Sequence, residues 1–273
     1  MRIDLRVPVL LGLLAIPTSV LAQPTCGDLP GYAALKAALQ GVVTQNGTPN
    51  GGLDNDMWAT VVNRDGEVCA VVFTGPDRGG QWPGSRVISA QKANAANAFS
   101  LPGGSAGILP GLALSTANLY SAVQPGGSLF GLQLSNPVAT DVAYGGNSNN
   151  NGAANDPMVG KKIGGINVFG GGLGLYNANG AIVGGIGVSG DTSCTDHVVA
   201  WKVRHALNLD NVLNGVAPGN SDNIIQDIVG GVSTSGFGHP ECLNDIDPAE
   251  LLAACPVGPG AALPACRTAN VIQ

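Results

Sequence analysis

Residues 181–188 restrict the fold more strongly than any other part of this sequence. The run Ala-Ile-Val-Gly-Gly-Ile-Gly-Val contains only apolar residues and glycine, so both faces of an extended backbone would be apolar. A strand with one face in water alternates between apolar and polar side chains, whereas a strand covered on both faces does not. The sequence therefore predicts a central strand at 181–188, with other elements packed on each side of it.

Two further pairs of strands are predicted on the N-terminal side of this run. Residues 57–62 and 68–74 are rich in valine, and the segment 63–66 between them ends in Asp-Gly, which is typical of a tight hairpin turn. Residues 163–169 and 172–177 are predicted to form the second pair, which leads through a turn into the central strand.

Apolar and small residues recur at helical spacing in several segments. In the longest C-terminal one, Ser193 and Asp196 have the spacing of a capping box in which Asp replaces Glu. Strands and helices in this order predict an α+β domain with a mostly antiparallel sheet flanked by helices. The predicted helices are 32–43, 86–99, 115–123 and 194–207, with short ones at 223–229 and 248–254.

The first 22 residues have the pattern of a secretory signal peptide. Arg2 and Arg6 precede the apolar run 7–16, and small residues end the segment at Ala22. The run is much shorter than the roughly 20 apolar residues that cross a bilayer. We therefore expect cleavage after Ala22, a secreted or periplasmic protein, and no membrane insertion.

The cysteines support an oxidising compartment. All six follow the leader, and an even number in an exported chain favours disulfides over metal ligation. Ligation of a metal by cysteine thiolates is the alternative, although no two cysteines are spaced as Cys-x-x-Cys. Six cysteines allow 15 pairings, and closeness in sequence alone favours a bond between Cys255 and Cys266.

Composition divides the chain that follows the leader into two parts. Residues 23–208 are predicted to form one domain, with an Asn/Gly-rich insertion at about 135–160 that has no regular structure. Residues 209–273 are predicted to be a cysteine-containing extension held on by disulfides. The net charge is −6 with only 12 basic residues, which argues against nucleic acid as a partner.

Several of these segments resemble the GlcG/HbpS family of haem-associated proteins. The segment 180–190, followed by Asp196, is similar to the most diagnostic part of the family, and the glycine-rich stretch 164–174 falls where the family has a glycine-rich strand. The likeness covers roughly residues 29–209. It is carried by the strand-turn-strand segment 61–67, the helix around 90–99 and the segment 180–190, in the order found in the family.

The resemblance implies a sheet flanked by helices, similar to profilin and PAS-type sensory domains. It also implies assembly as a homo-oligomer and, for some members, haem as the ligand. The insertion, the extension and the six cysteines depart from the compact members of the family. No single haem ligand of the family can be placed on a residue of this chain.

Histidines of the last predicted helix are the candidates for binding haem. His197, Trp201 and His205 follow one another at intervals of four residues and form a stripe opposite the valines of that helix. Neutral imidazole is a good iron ligand, and the indole offers apolar surface to a porphyrin. We expect His197, beside the positive helix N-terminus, to stay neutral and to be the metal ligand. The alternative is an amphipathic helix whose histidine face packs against the extension or a second subunit.

His239 is the second candidate, on a loop that a disulfide at Cys242 would anchor. Replacing His197 with Ala is expected to change the Soret band of bound haem, whereas His205→Ala is expected to leave it unchanged. His239→Ala is the informative control, because this loop could supply a second axial ligand. A loop histidine that hydrogen-bonds to the backbone is the alternative interpretation.

Two catalytic or cofactor patterns fail on context. The Gly-x-Gly-x-x-Gly pattern at 185–190 is not followed by a second parallel strand, as a dinucleotide site requires. Ser189, Asp196 and His197 do not make a triad, because neighbouring helical residues point about 100° apart.

Three functions therefore remain. The first is an extracytoplasmic binding protein for haem or a similar flat ligand, for capture or sensing. The second is an enzyme of redox or small-acid metabolism that uses the glycine-rich pocket. The third is an oligomeric structural protein of the cell envelope.

Overall fold

The computed structural model describes residues 25–43, 50–102 and 111–258. Short 3-10 helices lie at Cys26–Asp28, Ser121–Val123, Ser148–Asn150 and Pro218–Asn220. The α-helices are α1 (Tyr32–Val43), α2 (Ser85–Phe99), α3 (Leu132–Ser135), α4 (Thr140–Ala143), α5 (Ser193–Ala206) and α6 (Pro248–Ala254). The strands are β1 (Trp58–Asn63), β2 (Val68–Phe73), β3 (Gly172–Tyr176), β4 (Ile182–Ser189), β5 (Ile228–Val229) and β6 (Val232–Ser233).

The main sheet has the order β2-β1-β4-β3, and every neighbouring pair is antiparallel. All residues of β4 are buried, and the strand pairs with β1 on one side and with β3 on the other. The predicted central strand and the predicted hairpin of β1 and β2 are confirmed. So is the α+β class with an antiparallel sheet flanked by helices.

Glycines on one face of β4 let α2 lie directly against the strand. A Cβ at Gly187 would lie 2.0 Å from the carbonyl oxygen of Ser89, and one at Gly185 would lie 2.4 Å from that of Ala93. The alternate residues Ile186 and Val188 point to the other face, into a core shared with α1 and α5. The period of two along β4 therefore separates a close helix contact from the main hydrophobic core.

The strand predicted at 163–169 does not form. Gly164 and Gly165 both have positive φ values, 61° and 74°, and this conformation interrupts an extended backbone. Only an isolated bridge between Val138 and Gly164 is made there, and β3 pairs with β4 instead. The helix predicted at 115–123 is reduced to turns and one 3-10 helix, because Ser115 and Asn118 hydrogen-bond to each other's backbone and side chain.

The segment predicted as an insertion without structure contributes to the interior. It contains α4 and one 3-10 helix, and its Asp156 forms a buried ion pair with Arg86 of α2. Met158 is fully buried in a second core cluster, which also contains the stacked rings of Trp58 and Phe73. Asp156 and Met158 therefore stabilise α2 and the edge of the sheet, although the segment around them is rich in Asn and Gly.

The C-terminal extension is described as far as residue 258. It contains the small β5–β6 hairpin and α6, and the disulfide Cys194–Cys242 joins it to α5. A second disulfide joins Cys26 to Cys69, so the expectation of disulfides is confirmed. The helix predicted at 223–229 is absent. Residues 224–227 have no regular structure, and β5 begins at Ile228.

Other predictions fall outside these residues. The leader 1–22 and Cys266, the predicted partner of Cys255, are not among the described residues. Within the described ranges, no helix combines the length and the hydropathy needed to span a membrane.

Candidate functional site

Helix α5 begins just after β4, where Asp191, Thr192 and Asp196 are linked by hydrogen bonds. The side-chain oxygen of Thr192 accepts a hydrogen bond from the backbone N–H of Thr195 at 3.2 Å, so Thr192 is the N-cap and not Ser193 as predicted. Asp196 accepts a hydrogen bond from the backbone N–H of Asp191 at 2.9 Å. The predicted capping box between Ser193 and Asp196 therefore does not form, and the second oxygen of Asp196 is available to another partner.

That partner is a buried lysine of α2. The Nζ atom of Lys92 lies 2.6 Å from Oδ2 of Asp196 and also donates to the carbonyl of Val188 at 3.1 Å. Both charged side chains are almost completely buried. Burial raises the pKa of Asp196 to about 6 and lowers the pKa of Lys92, although each charge opposes the shift of the other. Ionisable groups perturbed in this way are typical of functional sites.

A cleft of about 380 Å³ opens above this ion pair. Trp82, Ile88 and Phe169 supply apolar walls, and Lys92 and Asp196 line its polar part. Trp82 is 52% exposed and Phe169 44% exposed, which is unusual for two large aromatic side chains in one cleft. The volume falls in the range of small-molecule sites, which combine apolar walls with a few polar groups.

Larger hollows lie elsewhere on the described surface. One of about 600 Å³ is next to the β5–β6 hairpin, and one of about 760 Å³ is next to α6. Neither contains a buried ion pair or two aromatic walls. We therefore take the smaller cleft as the candidate site, because its chemistry and not its size distinguishes it.

The loop 169–171 forms the wall between this cleft and the histidines. Its Phe169 carbonyl accepts a hydrogen bond from the hydroxyl of Thr116, and the N–H of Gly170 donates to Nε2 of His239 at 3.3 Å. A Cβ at Gly170 would lie 3.1 Å from the Cβ of His197. Both candidate histidines therefore pack against this loop, and neither is among the residues that line the cleft.

His197 is fully buried, and its accepting nitrogen is occupied. Nε2 accepts a hydrogen bond at 3.2 Å from the backbone N–H of Ile224, which also donates to Oδ1 of Asn223 at 2.8 Å. The ring therefore carries its proton on Nδ1, which has no hydrogen-bond partner among the described atoms. Burial lowers the pKa of His197 to about 3, which keeps the ring neutral. The neutrality was expected, but burial and not the helix dipole is its main cause. A metal could reach Nε2 only if the Ile224 bond were broken.

Trp201 and His205 are buried as well. Trp201 is part of the main core and donates from Nε1 to the carbonyl of Cys255 at 2.9 Å, so neither ring face is open to a ligand. Nδ1 of His205 lies 2.5 Å from Oδ2 of Asp210. The predicted histidine stripe is therefore not an outer surface, because residues of the extension cover it. This matches the alternative in which that face packs against the extension.

His239 is also buried and has both ring nitrogens engaged. Nδ1 donates to the carbonyl of Pro240 at 2.7 Å, and Nε2 is the acceptor for Gly170. Burial lowers its pKa to about 4. The structure thus brings His197 and His239 together behind one loop, but it gives neither an open lone pair.

The residues that the sequence analysis missed are Lys92, Trp82 and Phe169. A signal for Lys92 was present, since it is the one charged residue on the small-residue face of α2 that also carries Ser89 and Ala96. Nothing local in the sequence indicated that Trp82 and Phe169, 87 positions apart, meet in one cleft.

Several solved structures are similar to this chain. ORFY from Klebsiella pneumoniae is 23% identical, with 70% of this chain and 96% of that chain covered and a TM-score of 0.44. A PduOC:heme complex is 21% identical, with coverages of 65% and 91% and a TM-score of 0.42. A double mutant of HbpS from Streptomyces reticuli is 18% identical, with coverages of 75% and 99% and a TM-score of 0.40.

No curated protein matches the sequence. The family itself is established by a sequence match that includes β1 to β4, α2 and most of α5. The model of the haem degrading protein HbpS-like family matches residues 45–204. Because this range is more than half of the chain, the protein belongs to the HbpS-like haem degrading protein family.

Proposed function

We propose that this protein binds haem, or a similar flat aromatic ligand, in the cleft above Lys92 and Asp196. The observation that carries the proposal is the pair of exposed aromatic walls, Trp82 and Phe169, over a buried ion pair. Aromatic side chains favour contact with flat π-systems. Membership of a family described by its action on haem supports haem as the ligand.

The cleft offers aromatic faces to a flat ring but no usual ligand to an iron ion. Its described lining contains no histidine, cysteine, methionine or tyrosine, which are the usual protein ligands of haem iron. The predicted ligand His197 lies behind the loop 169–171 with its acceptor nitrogen occupied. We therefore propose that, while the extension covers the histidines, the protein holds the ligand through contacts with the faces of the ligand's ring. Ligation of the iron by His197 or His239 then requires the extension to move.

We also propose that binding serves capture or sensing outside the cytoplasm. The leader pattern at 1–22 and the disulfides Cys26–Cys69 and Cys194–Cys242 support this location. Fractionation of cells expressing the full chain tests it, since export predicts the processed protein in the periplasm or the medium.

Titration of the purified mature protein with haemin, followed at the Soret band, tests the site. Trp82→Ala should weaken binding by about 1 kcal/mol, or roughly fivefold in Kd, because it removes one aromatic contact. Phe130→Ala is the matched control, since this ring is 64% exposed and lies outside the cleft. Saturable binding that both variants weaken equally, or that neither weakens, would place the ligand elsewhere.

The same complex separates binding from turnover, which the family description raises as a second candidate. Bound haemin is mixed with hydrogen peroxide, and the loss of Soret absorbance is compared with that of free haemin. Faster loss in the complex would favour degradation. Equal or slower loss leaves binding as the function.

A further inference from the structure

Two cysteines and a histidine meet where the extension joins α5. One ligand atom from each of Cys194, Cys242 and His239 lies within 4.8 Å of the others, a spacing that a single metal ion could bridge. The cluster joins the first turn of α5 to the loop of the extension that covers the histidines. In the described structure the two sulfurs are bonded to each other, so neither is a ligand in this state.

Hydrogen-bond donors already point at one of these sulfurs. Sγ of Cys242 lies 3.2 Å from the backbone nitrogen of Cys194, which donates to it, and 3.5 Å from the hydroxyl oxygen of Ser193. Cys194 also lies in the first turn of α5, at the positive end of the helix. Such donors stabilise negative charge on sulfur, and the thiolate is the form that binds metals.

The hydrogen bonds of His239 leave one ring nitrogen with a lone pair that a cation could use. Nδ1 of His239 donates to the carbonyl of Pro240 at 2.7 Å, which leaves the lone pair on Nε2. A backbone carbonyl on the distal nitrogen is the usual support of a ligating imidazole. The present partner of Nε2 is the N–H of Gly170 at 3.3 Å, slightly beyond the common range of 2.7–3.2 Å.

We propose that reduction of the Cys194–Cys242 disulfide creates a binding site for a thiophilic divalent cation such as Zn²⁺, with Cys194, Cys242 and His239 as its three protein ligands. The reductant is either two equivalents of a thiol, which become a disulfide, or a phosphine, which takes the oxygen of one water molecule and becomes the phosphine oxide. Either one supplies the two electrons and two protons that convert the Cys194–Cys242 disulfide into two thiols. Binding of the cation releases both thiol protons to solvent, and Nε2 of His239 donates its lone pair. Water completes a tetrahedral site.

Small movements suffice to form this site. With Zn–S bonds of about 2.3 Å, tetrahedral geometry separates the two sulfurs by about 3.8 Å. The Cα atoms of Cys194 and Cys242 are 5.9 Å apart, so rotation of the two side chains provides the separation without moving α5. The cation would replace the covalent link between α5 and the extension, and the site would exist only in the reduced protein.

Cobalt provides the optical probe, because Co²⁺ accepts zinc-type ligands and shows thiolate charge-transfer bands. The mature protein is reduced with a water-soluble phosphine, freed of reductant without oxygen, and titrated with Co²⁺. We expect stoichiometric growth of the charge-transfer and tetrahedral d–d bands, and their loss when Zn²⁺ is added. The oxidised protein should show neither band.

The disulfides Cys26–Cys69 and Cys194–Cys242 supply matched variants. The double variant Cys26→Ser, Cys69→Ser should bind Co²⁺ like the wild type, whereas Cys194→Ser, Cys242→Ser should lose the charge-transfer band. Cys255 and Cys266 are unchanged in both. His239→Asn should weaken Co²⁺ binding by at least about tenfold, since changes even to the support of a ligand have that effect.

Near-ultraviolet circular dichroism shows whether the reduced, Co²⁺-loaded protein keeps its native packing. A native spectrum together with the expected variant pattern supports the site. The proposal is overturned if reduced wild type gives no band, if the Cys194→Ser, Cys242→Ser variant keeps it, if His239→Asn binds with unchanged affinity, or if the loaded protein has lost its native spectrum.

Discussion

The loop 169–171 separates two regions of opposite character. On one side, the cleft presents the aromatic walls Trp82 and Phe169 and lacks a usual iron ligand among its described lining residues. On the other side, His197 and His239 are buried under the extension, and each accepts a backbone hydrogen bond. The cleft is open to a ligand but has no imidazole, whereas the histidine side has two imidazoles but no opening.

Residue type and accessibility are therefore separate requirements of a site. Buried polar atoms usually have hydrogen-bond partners, and the extension supplies the N–H of Ile224 to Nε2 of His197, although Nδ1 has none among the described atoms. The hydrogen bonds that satisfy Nε2 of each buried histidine therefore also occupy the nitrogen that could bind a metal. Changes that loosen the extension should make the histidines more accessible, whereas changes in the cleft should leave them buried.

The largest effect is expected where the extension is anchored to α5. Arg204 and Asp222 are both fully buried and share two hydrogen bonds of 2.7 Å. Asp222→Asn leaves the guanidinium without its counter-charge, which in a buried pair costs about 3–5 kcal/mol of unfolding free energy. Because Asp222 lies two residues before Ile224, the amide that covers His197 should also exchange its hydrogen faster.

Urea denaturation and amide hydrogen exchange measure the two effects. Asp65→Asn is the matched control, since it makes the same chemical change at an exposed turn and should alter stability by no more than about 0.5 kcal/mol. Equal small effects in both variants would show that the ion pair does not hold the extension in place.

Acidification should destabilise the histidine side more than it stabilises the cleft. Burial lowers the pKa of His197 from 6.5 to about 3 and that of His239 from 6.5 to about 4. Burial raises the pKa of Asp196 from 3.8 to about 6. Between pH 6 and pH 4 the unfolded chain therefore holds about two protons on these imidazoles, whereas the native protein holds about one, on Asp196.

The difference of one proton gives a fall in unfolding free energy of about 1.4 kcal/mol for each unit of decrease in pH. Urea denaturation at several pH values between about 7 and 4 measures the slope. His239→Gln removes one of the two imidazoles, so its slope in this window should be close to zero. A wild-type stability that stays constant or rises on acidification contradicts the burial argument.

The smallest effect is expected from the residue that the sequence analysis placed first as a metal ligand. In the oxidised protein, His197→Ala should leave the Soret spectrum of bound haemin unchanged, because Nε2 of His197 is occupied by the Ile224 amide. Metal-free protoporphyrin IX should bind with an affinity similar to that of haemin. Absorption spectra and parallel titrations measure both quantities.

A shifted Soret band in His197→Ala, together with much weaker binding of protoporphyrin IX, would show that the iron is ligated and that the extension opens on binding. This result would support His197 as the iron ligand and contradict a structure in which the extension keeps it covered. The cleft and the histidines would then belong to one site.

Local sequence patterns were sufficient to predict β1, β2 and β4. The apolar run at 181–188 could not be exposed on either face, and the Asp-Gly turn between β1 and β2 has few conformations open to it. Both features depend only on residues close together in the sequence. For this reason the sequence alone correctly predicted β4 at the centre of the sheet and the hairpin of β1 and β2 at its edge. The strand predicted at 163–169 failed because its two glycines adopt positive φ.

The candidate site depended on contacts that no local pattern contains. The Lys92–Asp196 pair joins positions 104 apart in sequence, and the walls of the cleft come from two distant loops. The spacing of His197 on α5 was visible in the sequence, but whether its ring faced water or the extension was not. Helical periodicity determines which residues share a face, whereas burial depends on what packs against that face, and here it was a segment some 30 residues further along the chain.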